Sequence, residues 1–205
     1  MKKISLSCII VSLFSLLYAC DEDSDTLPSY RQDLAELRTT ADGKASKMWR
    51  DDGTCLNLLT PLAGLTPDSI YRVYAVYTEA PEGTQLNHCA LVHAPFPEVL
   101  PQNLQKRDPL SVVAAWKTER YANLQLLLKS KSDAQHGIAF HHDETVDHAD
   151  GTTAIHLTLM HNANDAPQHY TREVFVSCPL YQFPAADTVH IAIATFAADT
   201  IYTLF

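Results

Sequence analysis

Tyr121-Ala122-Asn123-Leu124-Gln125-Leu126-Leu127-Leu128-Lys129 is the stretch that decides the fold. Ala122, Leu124, Leu126 and Leu128 recur at every second position, while Tyr121, Asn123, Gln125, Leu127 and Lys129 fill the alternate ones. Successive side chains of a strand point to opposite faces, so the alternation predicts a strand with one apolar face. Ile155, Leu157 and Leu159 alternate likewise, as do Val189, Ile191 and Ile193. Residues 111–117, 137–142, 169–178 and 199–205 are also rich in β-formers. Seven short strands in the last 95 residues predict a β-sandwich, with one face of each strand supplying core and the other facing outward.

Upstream, residues 33–40, 45–50, 54–59, 71–78 and 85–93 read as strands, with Asp42-Gly43 and Asp52-Gly53 as hairpin turn signals. Residues 33–38 also allow a helical turn. Tyr71-Arg72-Val73-Tyr74-Ala75-Val76-Tyr77 carries apolar residues on both faces, as a strand of a small barrel does. Five strands in about sixty residues suit an OB-like barrel. Between the halves, Pro95, Pro97, Pro101 and Pro109 remove backbone donors and fix φ, which marks residues 94–110 as a link. The expected order is therefore an all-β chain with a barrel at 31–93, a proline-rich link, and a sandwich at 111–205.

The N-terminus reads as an address. Lys2-Lys3 precedes an uncharged, largely apolar run over residues 4–18, short of the ~20 residues that span a bilayer as a helix. That pattern predicts a secretory signal over residues 1–19. Leu17-Tyr18-Ala19-Cys20 resembles a bacterial lipobox, with a small residue before the cysteine that takes the lipid. Several acyl chains at Cys20 would anchor the chain stably to a membrane. Asp21-Glu22-Asp23-Ser24-Asp25 follows within a tether at residues 20–30. This acidic run resembles the export signal of lineages that display lipoproteins on the outer surface; as a plain solvated tether it would only hold the folded part off the membrane. The expected location is the cell envelope, at the outer membrane.

The chain holds 15 Lys+Arg against 24 Asp+Glu, a net charge of -9. Without Lys2 and Lys3 the balance is 13 against 24, or -11. So acidic a chain makes a poor nucleic-acid partner, because phosphate neutralisation dominates that affinity. The six glycines are too widely spaced for a Walker A loop, a GxGxxG loop or a GxSxG elbow. No cofactor is expected. After removal of Cys8 and lipidation of Cys20, Cys55, Cys89 and Cys178 remain. In a disulfide-permissive compartment Cys55 and Cys89, both in the barrel half, form the candidate bridge, with three separate buried thiols as the alternative.

Ten histidines, seven of them from His136 to His169, stand out in the composition. His136, His141, His142, His148, His156, His161 and His169, helped by Asp143, Glu144, Asp147 and Asp150, offer metal-ligand chemistry. Zinc needs three or four donors at one point. No HExxH, HxxEH or CxxC spacing is present, and convergence would require residues 142–150 to fold back as a loop. The expectation is a polar loop that gains positive charge toward pH ~6. His88-Cys89 are strand neighbours that diverge, so they form no dyad. His161 with Asp165 reads as a turn-holding hydrogen bond. Tyr71, Tyr74 and Tyr77 offer either barrel core or a glycan-stacking platform, and Trp49 and Trp116 read as core anchors.

A family resemblance rests on several stretches together: the lipobox with its acidic tether, the order barrel then sandwich, Asp108-Pro109-Leu110…Trp116…Tyr121-Ala122-Asn123-Leu124-Gln125-Leu126, and Leu157-Thr158-Leu159-Met160-His161-Asn162 with Asp165 downstream. On these the chain resembles the NigD-like lipoproteins. The resemblance implies an OB-like N-terminal domain, a C-terminal β-sandwich, and, by association with a bacteriocin locus, an immunity or accessory role; the expected mode of action is binding of a protein or peptide, without catalysis. A glycan- or fimbria-associated module is the alternative class, and a metal-dependent hydrolase on the histidine loop a remote one.

Overall fold

Asp42-Gly43 and Asp52-Gly53 close the first two hairpins of the chain. Gly43 (φ +70°) and Gly53 (φ +82°) both occupy the left-handed region that favours glycine. At Gly43 a Cβ would also fall inside contact distance of the Leu65 carbonyl oxygen. The computed structural model describes residues 29–131, 135–164 and 169–205; Cys20, its tether and Asp165 lie outside them.

Strands β1 (Arg31–Arg38), β2 (Ala45–Arg50), β3 (Cys55–Leu62), β4 (Ile70–Ala80) and β5 (Gly83–Leu91) form a closed barrel in the order β1-β2-β3-β5-β4. Every neighbouring pair is antiparallel except β3 and β5. That is the OB-like barrel expected from the sequence, and residues 31–38 are strand rather than helical turn. Its interior is Ala35, Leu37, Ala45, Met48, Leu58, Val73, Ala75 and Tyr77. Tyr71 packs on that core as well.

The second half is a sandwich of two sheets. One has the order β10-β7-β6, from β10 (Tyr170–Pro179), β7 (Tyr121–Ser130) and β6 (Ser111–Lys117). The other has the order β12-β11-β9-β8, from β12 (Asp199–Leu204), β11 (Thr188–Ala194), β9 (Thr153–Asn162) and β8 (Gly137–Asp147). The residues that alternate in sequence meet between them: Leu124, Leu126 and Leu128 oppose Ile155, Leu157, Leu159, Val189, Ile191 and Ile193, each at most 1 % exposed. Removing such aliphatic side chains from water stabilises the fold by about 1.5–3 kcal/mol apiece.

Two sequence expectations change here. The loop at residues 142–150 is strand as far as Asp147, so it does not fold back. Trp49 and Trp116 are half-buried and lie outside both cores; the Arg38 guanidinium stacks 4.7 Å over the Trp49 ring. The proline-rich stretch is also stitched down. Between its prolines Glu98 and Arg107, and at its two ends His93 and Leu110, each form a parallel bridge: Glu98 to His141, Arg107 to His161, His93 to Val176 and Leu110 to Thr195. A proline cannot donate, but its neighbours can, and they do so at intervals.

Candidate functional site

The barrel and sandwich meet through side chains that neither alternation pattern announces. On β4, Val73, Ala75 and Tyr77 turn inward, so Arg72 and Tyr74 turn outward to the sandwich. Arg72 is almost fully buried. Its Nε donates to Ser177 Oγ at 3.1 Å, Nη2 donates to Asn123 Oδ1 at 3.0 Å, and Nη1 and Nη2 grip the Asp51 carboxylate at 2.5 and 2.6 Å. The guanidinium lies 3.9 Å over the Tyr121 ring. Asn123 and Ser177 are fully buried, so the outward face of β7 is covered here rather than exposed. Tyr74 stacks on Phe175, centroids 5.2 Å apart.

A second charged knot holds the same seam. Glu36 accepts from Arg38 (3.0 and 2.8 Å), Arg120 (2.8 Å) and the Tyr181 hydroxyl (2.6 Å). Burial pushes its carboxyl up, but the hydrogen bonds from Tyr181, Arg38 and Tyr121 and the Arg120 charge outweigh that and leave it below the ordinary range. Burial, followed by contacts with Tyr181 and Glu36, raises the Tyr121 hydroxyl.

Beside this seam opens a cleft of about 540 Å³, within the size of ligand pockets. It lies where the edge strands β10 and β8 of the two sheets face each other, with the end of β5 as its floor. Val174, Val176 and Leu128 line one wall and Ile138 the other. His93 closes one end: its backbone bridges to Val176 of β10, and its ring Nε2 donates to the Ile138 carbonyl of β8 at 2.8 Å. Arg172 and His136 also line the cleft.

The histidines divide into separate groups. His141 Nδ1 accepts the Leu100 N–H at 2.9 Å, and His142 turns to Thr145 and Phe183. His156 and His190 stack across the parallel β9–β11 pair, centroids 4.6 Å apart. Burial, then the neighbouring His156 and His148, lowers His190. His136 and His161 stack elsewhere, Nδ1 to Nε2 at 2.8 Å. Among the described residues no three His, Cys, Asp or Glu side chains converge as a metal site. Ser130 Oγ, His136, His161 and the Asp108 carbonyl form a relay at 3.3, 2.8 and 2.8 Å. Ser130 is fully buried, however, and its hydroxyl donates to the Lys131 carbonyl, so the relay ties strand ends together instead of presenting a nucleophile.

The candidate bridge between Cys55 and Cys89 is not formed; both thiols, and Cys178, are free. Cys55, at the start of β3, pairs across its ladder with Trp49 of β2, while Cys89 on β5 pairs with Ala75 of β4, so neither ladder sets one thiol beside the other. The three tyrosines do not form a platform either: Tyr71 and Tyr77 belong to the barrel interior and only Tyr74 faces out. Sequence reading missed Arg72, Asn123 and Ser177; the one signal was a charge, Arg72, inside an otherwise apolar strand.

The model of the NigD-like C-terminal beta sandwich domain matches residues 95–204, more than half of the chain. The chain belongs to the NigD-like family. Its match begins inside the proline-rich stretch, which the bridges from Glu98, Arg107 and Leu110 make part of the sandwich. This NigD-like chain is similar in structure to a NigD-like immunity protein from Bacteroides caccae, with 22% identity and a TM-score of 0.69 over 85% of this chain and 92% of that one. A candidate toxin-related protein from Parabacteroides distasonis matches at 16% identity and 0.68 over 86% and 92%. A candidate lipoprotein from Bacteroides fragilis matches at 12% and 0.64 over 86% and 97%. At such identities the likeness shows the fold. No curated protein matches the chain.

Proposed function

We propose that this NigD-like protein is a non-enzymatic lipoprotein of the cell envelope, anchored at the outer membrane through Cys20, that confers immunity by binding a secreted antibacterial peptide or protein. The observation that carries the reading is the solvent-open cleft along the seam of barrel and sandwich, in a fold shared with a NigD-like immunity protein. Arg72 and Glu36 lock the two units into one frame beside that cleft, which presents its walls preorganised for a partner.

The test is a killing assay in the host with supernatants of bacteriocin-producing neighbours. Deleting the gene should raise sensitivity about tenfold or more, equivalent to losing at least ~1.4 kcal/mol of protective binding. The wild-type gene should restore resistance, and Cys20→Ala, which removes the lipid-bearing thiol, should not. Equal sensitivity of deletion and wild type to every supernatant would overturn the reading. Restoration by Cys20→Ala would overturn the need for the anchor.

A further inference from the structure

β10 is the outer strand of its sheet, and β7 satisfies only one of its edges. The Ser177 N–H donates away from β7, to the His93 carbonyl at 3.0 Å. Alternation along an antiparallel ladder then turns the backbone groups of Phe175, Glu173 and Thr171 to that same outer side. His93 occupies the edge only at Val176. Past it, no described segment pairs with Thr171 or Glu173, both of which are exposed. An unpaired edge of this kind is a template for one more strand.

The chain shows what the edge accepts. Its own segment at His93 already forms an isolated parallel bridge there, and the free stretch of β10 continues from that bridge along the cleft. Side chains of an added strand would alternate between solvent and the apolar walls at Val174, Leu128 and Ile138.

Charge narrows the ligand further. Arg31, Arg38, Arg50, Arg72, Arg107 and Arg120 each pair with a carboxylate. Arg172, the remaining arginine of the sequence, lines the cleft and has no carboxylate partner among the described residues. In a chain with 24 acidic against 15 basic residues, that leaves one guanidinium open in the cleft for an incoming anion.

We propose that the cleft binds an extended peptide segment of a separate protein, which adds as a strand to β10 over Thr171–Phe175 and sets a carboxylate on Arg172. The backbone ladder supplies affinity, and the apolar walls with Arg172 supply selectivity. This mode rests on the binding role proposed above and specifies how that site takes its partner.

The probe is a library of random linear seven-residue peptides displayed with free carboxyl termini, selected on the mature chain carrying Cys20→Ser. Synthetic copies of selected peptides should slow amide exchange at Glu173 and Phe175 about tenfold or more. Arg172→Ala should weaken them by a similar factor, and Glu173→Pro, which deletes an outward N–H without touching the β7 ladder, should do the same. N-methylation of alternate peptide amides gives the same loss with the protein unchanged, which guards against a variant that fails to fold. A library that yields no binder, binders that leave those amides unprotected, or N-methylated peptides that bind equally well would each overturn the proposal. So would a mature protein that is already a dimer with these amides protected, because the edge would then belong to a second copy. If strand addition fails while gene deletion still sensitises the host, the immunity reading stands and only this mode falls.

Discussion

Arg72 and Asn123 stand 51 positions apart in the chain and 3.0 Å apart in space, guanidinium Nη2 to side-chain oxygen. One belongs to the barrel and the other to the sandwich, and each is buried. Ser177 donates to the same Asn123 oxygen at 2.7 Å, so a single amide oxygen gathers both units. Interfaces between linked units are often loose and polar; this one is polar but desolvated, and its groups have their partners.

Removing the guanidinium should therefore destabilise the whole chain. Arg72→Ala leaves Asp51 without its bidentate partner and Asn123 and Ser177 short of a donor. The expected loss is about 3–5 kcal/mol, the usual cost of breaking a buried pair from one side. Asn123→Ala should cost about 1–3 kcal/mol. Urea unfolding of both variants and the double mutant checks this. Their coupling should lie at about 0.5–3 kcal/mol, and strict additivity would show that the contact does not join the units.

Glu36 gives the seam a pH dependence. Its carboxyl is held below the ordinary 4.5, so the folded state binds that proton more weakly than the unfolded state. The resulting stability is complete above that value and drains away as pH falls through the depressed one. Glu36→Gln should be less stable than wild type at neutral pH, with the gap closing below pH ~4. Thermal unfolding across that range is the measurement, and a gap that stays constant would place the effect elsewhere.

The two hairpin glycines should respond differently to alanine. Gly53 adopts φ +82° with nothing in reach of an added Cβ, so Gly53→Ala should cost only the ~1–2 kcal/mol of a left-handed L-residue. Gly43 carries the same conformational cost, and its Cβ would also meet the Leu65 carbonyl, which accepts no displacement cheaply because Leu65 N–H bonds back to Gly43. Gly43→Ala should be the more damaging, by ~1 kcal/mol or more. Comparing urea midpoints tests the ranking.

Stitching of the proline-rich stretch makes a prediction about fragments. Asp108 N–H donates to the His161 carbonyl, the His161 N–H to Lys106, and the His142 N–H to Glu98. A sandwich fragment starting at Ala94 keeps these bonds; one starting at Leu110 leaves the edges of β8 and β9 bare. The longer fragment should unfold at higher urea, and equal midpoints would show that the stretch is only a tether.

Several things were legible in the sequence because they depend on local periodicity. The two-residue alternation of Leu124, Leu126 and Leu128, and of Val189, Ile191 and Ile193, marks strands and tells which face is core, since a strand has only two faces. The Asp-Gly pairs mark hairpins because few other residues tolerate a positive φ. From these came the barrel and the seven-stranded sandwich; the family resemblance rested besides on particular residues, the lipobox with its acidic tether and the stretches at 108–126 and 157–165. Beyond the described residues, Leu17-Tyr18-Ala19-Cys20 remains a sequence-level expectation of an anchor.

What the sequence could not decide depends on residues brought together from far apart. Alternation labels Asn123 as outward, but whether outward means water or another unit depends on where the barrel docks. Docking buried it, and made Arg72 its partner. Cys55 and Cys89 share a barrel, yet the ladders pair Cys55 with Trp49 and Cys89 with Ala75, and both thiols stay free. The seven clustered histidines are close in sequence but part across two sheet faces and two strand ends, because adjacent strand residues diverge. The cleft beside β10 likewise exists only because two sheets end side by side; chain order alone does not say which strand is left with an open edge.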